Sequence, residues 1–182
     1  VSQDAFTPLA GQETLLILTE LLQAVPTEIM EGGATVMTLD HVRTFPQVKM
    51  THYVSAIQTL PKRKSMQALE TLYVQNGVIS ECAQSNFFIV KNGVVITTSE
   101  NALLGITQKL ILEKLAPDNQ IPIEVRTILL EEVLTADEAF LTGSNKGVVP
   151  IVKIDEYKIG DGTPGAVTQK LMQLYREFLQ RT

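Results

Sequence analysis

Two Asn-Gly pairs, Asn76-Gly77 and Asn92-Gly93, constrain this chain more than any other feature. Each sits between short runs rich in Val, Ile, Phe and Tyr. Asn-Gly accepts the positive φ angles that a two-residue hairpin turn demands. Ala68 to Val74 and Val78 to Cys82 are therefore expected to form one hairpin, and Asn86 to Val90 and Val94 to Thr98 a second. The rest of the chain lacks the regular βαβ alternation of a doubly wound sheet, so the expected fold class is α+β.

The flanking segments follow from pattern and punctuation. Thr14 to Leu22 is an apolar run that reads as a buried strand. Pro26 and Gly32-Gly33 follow, and they place a linker or domain boundary between Leu22 and Gly33. Ala34 to Leu39 alternates as a strand, and Asp40 to Val48 reads as a loop leading to Lys49. Met50 to Leu60 can be helical, ended by Pro61, with Lys62-Arg63-Lys64 as a solvated loop beyond it. Gly105 to Leu115 carries Ile106, Leu110, Ile111 and Leu115 at helical spacing. Ile121 to Ile128 reads as a strand and Leu130 to Leu134 as a short helix. Glu138 to Leu141 is a strand ending in Thr142-Gly143-Ser144-Asn145, and Val148 to Ile154 with Tyr157 to Ile159 form a last pair. Val167, Leu171, Leu174, Tyr175 and Phe178 mark the apolar face of a C-terminal helix.

Composition excludes several classes. The formal net charge of −5 argues against a nucleic-acid surface, which needs clustered cations. No apolar run approaches the roughly 20 residues of a membrane span. The single cysteine, Cys82, rules out an internal disulfide framework and suits a reducing, cytoplasmic setting. The chain opens on Val1 without Met and runs straight into Asp4-Ala5-Phe6-Thr7-Pro8, so it reads as the middle of a longer polypeptide.

Four features carry chemistry, and each has an ordinary structural reading when taken alone. Lys49 lies between a loop and a helix start, where most lysines are surface cations. A Schiff-base lysine needs its amine partly desolvated or beside another cation. Glu81 interrupts the returning strand of the first hairpin. It reads either as a solvent-facing residue or as a carboxylate set against a pyridinium nitrogen. Leu103-Leu104-Gly105-Ile106-Thr107 opens a helix whose first N–H groups can meet an anion. Thr142-Gly143-Ser144-Asn145 is a small polar turn after an apolar strand, of the kind that can bind anions through successive N–H groups. An amine, a carboxylate and two anion-binding turns together are the parts needed to hold a phosphorylated aldehyde.

These stretches resemble the class IV aminotransferases, the fold type IV pyridoxal-phosphate enzymes. Val48-Lys49-Met50-Thr51-His52-Tyr53 is similar to their cofactor-lysine segment. Asn76 to Phe88 is similar to their Gly-x-(Val/Ile)-x-Glu-x-x-x-x-Asn-(Val/Ile/Leu)-Phe signature, and Leu104-Gly105-Ile106-Thr107 to their Gly-Ile-Thr element. Ala136-Asp137-Glu138 through Ser144, Pro150 and the stretch from Gly160 to Thr168 also fit, in the family's order. The resemblance implies a large domain of the D-amino-acid aminotransferase type, a mixed, barrel-like sheet with packed helices, over residues 33–182. Residues 1–32 would be the tail of a small N-terminal domain and its linker, with most of that domain absent.

The implied cofactor is pyridoxal 5′-phosphate, with no metal. Lys49 would form the Schiff base and carry the proton. Glu81 would pair with the ring nitrogen, and Leu104 would pack on the ring. Gly105, Ile106, Thr107 and Ser144 would hold the phosphate, and Tyr53 would reach the 3′ oxygen. Gly143, Ser144 and Asn145 would lie near the substrate carboxylate, with Asn86 and Ser85 supporting. His52 stands where the family has Asn, and Gln108 where it has Arg. The implied reaction is transamination between an amino acid and a 2-oxo acid in a cytoplasmic homodimer. Pyruvate release from aminodeoxychorismate is the lyase alternative, and a degenerate domain that binds without turnover is the non-enzymatic one.

Overall fold

Both Asn-Gly pairs make the expected turns. In the computed structural model, which describes Gly11 and residues 15–181, φ is 52° at Asn76 and 76° at Gly77, and 50° at Asn92 and 78° at Gly93. Positive φ at both central residues matches the right-handed twist of the flanking strands. The hairpins are β2 (Glu70–Gln75) with β3 (Val78–Cys82), and β4 (Asn86–Lys91) with β5 (Val94–Thr97). They join β1 (Ala34–Asp40), β6 (Ile123–Val125), β7 (Ile128–Leu129), β8 (Glu138–Gly143), β9 (Gly147–Ile154) and β10 (Tyr157–Lys158) in one sheet.

The strand order is β6-β5-β4-β8-β9-β1-β2-β3-β7, with β10 paired to β9. β1 runs parallel to β2 and β9, and β5 parallel to β6, while the other pairs are antiparallel. The two ends of this path, β6 and β7, are separated in sequence only by Arg126-Thr127. Three virtual bonds between Val125 and Ile128 span at most about 11 Å. The sheet must therefore curl until its two edges approach, which gives the expected barrel-like α+β architecture.

The period of two along the strands separates two cores. Phe87 and Ile89 join Val36, Leu72, Ile79, Leu141 and Val149 on one face. Phe88 and Val90 join Phe140 and Val148 on the other, where Phe88 and Phe140 stack with ring centroids 4.6 Å apart. The helices begin with α1 (Thr27–Gly32), α2 (Val54–Gln58) and α3 (Leu60–Ser65). α4 (Ile106–Leu110) continues as a wider turn through Leu115. After α5 (Leu130–Val133) comes α6 (Ala166–Arg181). Ile111 and Leu115 cover the second face together with Leu171 and Met172 of α6. The Glu138 carboxylate fixes the start of α6 by accepting the N–H groups of Val167 and Thr168 at 3.0 and 2.7 Å.

Three sequence expectations fail, each for a physical reason. Residues 15–22 form no strand, and their large apolar side chains are exposed. A strand needs a partner, and this run pairs with none among the described residues. Residues 1–10, 12–14 and 182 lie outside the described residues, so Thr14 and the Asp4 to Pro8 stretch are not placed. Met50 to Leu60 is not one helix, because residues 50–53 are irregular and α2 stops at Gln58, and Pro61 does not end a helix. It sits in the first turn of α3, where a missing N–H costs nothing, and Lys62, Arg63 and Lys64 are helical. Ile121 to Ile128 is not one strand but two, β6 and β7, on opposite edges of the sheet. Arg126 holds the break through ion pairs with Glu124 and Glu132.

Candidate functional site

The ends of β3 and β8 and the start of β4 open into a cavity of about 600 Å³. Glu81 reaches it because β3 carries one extra residue. Leu72 faces Cys82 and Val74 faces Ile79, so three steps on β3 oppose two on β2. Such a bulge re-aims side chains. Instead of pointing to solvent, Glu81 is 4% exposed. Its Oε1 accepts from Arg43 Nη1 at 2.7 Å and its Oε2 from the Leu103 N–H at 3.0 Å. Burial pushes the Glu81 carboxyl above its ordinary value, and the bonds from Arg43 and Leu103 oppose that shift, as does the charge of Lys49.

Lys49 lies on the cavity wall in the irregular segment between β1 and α2, and its side chain is exposed. A second cation, Arg43, lies on the same cavity wall. Arg43 Nη2 donates to the carbonyl of Val48, the residue before Lys49, and Nη1 also reaches the Pro46 carbonyl at 3.2 Å. His52 and Tyr53 line the same wall, with Tyr53 half-buried.

The turn before α4 is held from three sides. Asn86 Nδ2 donates to the Leu103 carbonyl at 2.6 Å. Asn86 Oδ1 lies so close to Gly105 that a Cβ there would sit 2.0 Å away, so only glycine fits. Gln108, buried, accepts the Gly105 N–H at 3.3 Å and donates to Thr97 Oγ1 and the Thr98 carbonyl at 3.2 Å each. Thr107 is buried against the cavity, whereas Leu104 and Ile106 are 70% and 79% exposed at its mouth. Ile106 thus leaves the core face that its spacing suggested.

The opposite wall is the β8–β9 turn, with Thr142, Gly143, Ser144 and Asn145. Thr142 Oγ1 is buried without a hydrogen-bond partner among the described residues. Behind this wall Lys146 Nζ pairs with Glu70 Oε1 at 2.9 Å, and Ser85 Oγ donates to the same oxygen at 3.0 Å. Glu70 Oε2 has no partner among the described residues.

The cavity gathers Lys49, Tyr53, Glu81, Asn86, Leu104, Gly105, Ile106, Thr107, Gly143, Ser144 and Asn145, every site residue expected from the sequence. It also gathers Arg43 and Tyr73, which sequence reading missed. Tyr73 stands edge-on to His41 with ring centroids 4.8 Å apart, and its phenol is pushed up to about 12, first by burial and then by Glu70 and Glu81. Arg43 carries a faint signal, a lone cation six residues before the lysine.

The amino-transferase class IV family profile matches residues 2–154. The chain belongs to this family. Among class IV relatives, the branched-chain-amino-acid aminotransferase of Pseudomonas aeruginosa is 35% identical over 160 residues, covering 84% of this chain and 52% of that one. The D-alanine aminotransferase of Listeria monocytogenes is 31% identical over 171 residues, covering 91% and 58%. A solved branched-chain amino acid aminotransferase with pyridoxamine 5′-phosphate, from T.th., superposes with a TM-score of 0.73 at 28% identity, covering 84% and 52%. The chain spans about half the length of the class IV relatives it matches. Of its departures from the class IV pattern, Gln108 is buried and braces the Gly105 turn, while His52 is exposed on the rim.

Proposed function

We propose that this chain forms the cofactor-binding part of a pyridoxal-phosphate-dependent aminotransferase that acts on amino acids and 2-oxo acids. The observation that carries the reading is that the Lys49 amine and the Glu81 carboxylate open on one cavity between two polar turns. A buried hydroxyl with no partner among the described residues, Thr142 Oγ1, fits a cavity made for a polar ligand. The likeness to an aminotransferase solved with pyridoxamine 5′-phosphate supports the choice of cofactor. Residues 33–182 would be the cofactor domain and residues 1–32 the tail and linker of another. A cytoplasmic homodimer belongs to the same reading and rests on family likeness alone.

The cofactor supplies an electrophilic carbonyl carbon and an electron-accepting ring when bound. Lys49 would hold the cofactor at that carbon, with the carbonyl oxygen lost as water, and its Nζ, once a substrate amine has replaced it there, would hold and return a proton. Glu81 would face the ring nitrogen, its charge keeping that nitrogen protonated. The first N–H groups of α4, at Ile106 and Thr107, have no intrahelical acceptor and would meet the phosphate with the Thr107 hydroxyl and Ser144. Gly105 would bring that backbone close, and Asn86 would hold it there. Leu104 would cover the ring, Tyr53 would meet the 3′ oxygen, and Gly143, Ser144 and Asn145 would receive the substrate carboxylate.

The test is chemical trapping. Pyridoxal phosphate added to the chain should give a visible band, and borohydride should fix one adduct that mass spectrometry maps to Lys49. Lys49→Ala should abolish both. An adduct elsewhere, or none, refutes the assignment. D-Alanine, L-leucine and aminodeoxychorismate, supplied separately, then sort transamination from lyase chemistry.

A further inference from the structure

We infer that Arg43 is a positioning residue that joins the Glu81 carboxylate and the Lys49 segment into one rigid unit. The inference rests on the function proposed above. Glu81 and Lys49 come from different parts of the chain, a strand bulge and an irregular loop, and nothing in their own segments fixes their separation. Arg43 does so directly. One terminal nitrogen holds Glu81 Oε1 and the other holds the carbonyl of Val48, one peptide away from Lys49.

The chain of contacts continues across the cavity. Glu81 Oε2 accepts the Leu103 N–H, and the Leu103 carbonyl accepts from Asn86. Both oxygens of Glu81 are therefore gripped and the carboxylate cannot rotate, yet each retains a lone pair for a further donor. Arg43 is committed to three acceptors inside the protein, Glu81 and the Pro46 and Val48 carbonyls. It is thus poorly placed to serve as the docking cation for a substrate anion, which is the obvious alternative for an arginine on a cavity wall. The planar fork is needed for this geometry, because a lysine ammonium is a point charge on a flexible stem and cannot reproduce two divergent contacts.

The same arrangement sets the charge of Glu81. Arg43 and Lys49 face it and favour the ionised form, burial opposes them, and Tyr73 and Cys82 are the other titratable groups beside it. Without Arg43, burial prevails further and the carboxyl holds its proton to higher pH.

Arg43→Met, Arg43→Lys and the double variant Arg43→Met with Glu81→Gln test this in the full chain. In the cofactor-free protein, Arg43→Met should raise hydrogen exchange of residues 41–50 by about tenfold and shift the carbon-13 titration of Glu81 upward. Arg43→Lys should restore the titration but not the exchange protection. The double variant, which removes both charges, should recover the thermal midpoint if Arg43→Met loses it. With pyridoxal phosphate, Arg43→Met should weaken binding by about tenfold or more and move the acid limb of the binding profile to higher pH. If wild type is trapped on Lys49 while Arg43→Met keeps its affinity, acid limb and exchange protection, Arg43 is not a positioning residue, although the proposed function stands. If wild type is not trapped on Lys49, the proposed function fails and takes the cofactor role of Arg43 with it. The exchange and titration results still decide whether Arg43 couples the two segments.

Discussion

The cavity has two walls, and each contains a buried carboxylate paired with a cation, but the pairs are built differently. Glu81 and Arg43 open on the cavity, and both oxygens of Glu81 are engaged. Glu70 and Lys146 sit behind the opposite wall, Lys146 shielded and Glu70 almost wholly buried, and one oxygen of Glu70 is unpartnered among the described residues. The first pair is arranged to present a charge, and the second to neutralise one. Burial of an ion pair is therefore no sign of function by itself, because its cost can be met in either arrangement. What distinguishes the pair proposed to be functional is that its carboxylate lines the cavity while its cation is shared with the Pro46 and Val48 carbonyls.

Breaking the inner pair should have the largest effect on stability. Lys146→Met leaves Glu70 buried without its cation and should cost about 3–5 kcal/mol. The drop in thermal midpoint should be largely recovered by adding Glu70→Gln. A small drop, or no recovery, would mean that the two walls are not built differently after all. Ser85→Ala removes one hydrogen bond to Glu70 and should cost about 1 kcal/mol by denaturant titration. The smallest effect sharpens the comparison from the other side. Because burial raises the Glu81 carboxyl, the cofactor-free fold binds that proton more tightly than the unfolded chain does. Its contribution to stability is then fully present below the ordinary carboxylate range and is lost as pH rises through the raised value. Glu81→Gln should flatten that slope in thermal midpoints measured across the same pH window.

Much of this was legible in the sequence where the cause is local. Asn-Gly fixes a hairpin whatever surrounds it, and Glu81 and Thr107 stand in short patterns next to the turns that place them. What was not legible depends on residues far apart in the chain. Arg43 meets Glu81 across 38 positions, and Lys146 meets Ser85 across 61. No spacing announces either contact. Residues 15–22 misled for a related reason. Their apolar run is consistent with a strand, but strand formation needs a partner, and they pair with none among the described residues. Ile121 to Ile128 misled because a continuous pattern hides a change of neighbours between Val125 and Ile128.

That change of neighbours matters beyond the fold's description. Two residues, Arg126 and Thr127, act as the buckle of a belt, holding together the first and last members of the strand order. The length of this link limits how far apart those two strands can stand, and with it how tightly the sheet curls around the core of Phe87, Ile89 and Leu141. A segment that contributes no residue to the cavity thus helps to shape the sheet from which the cavity opens.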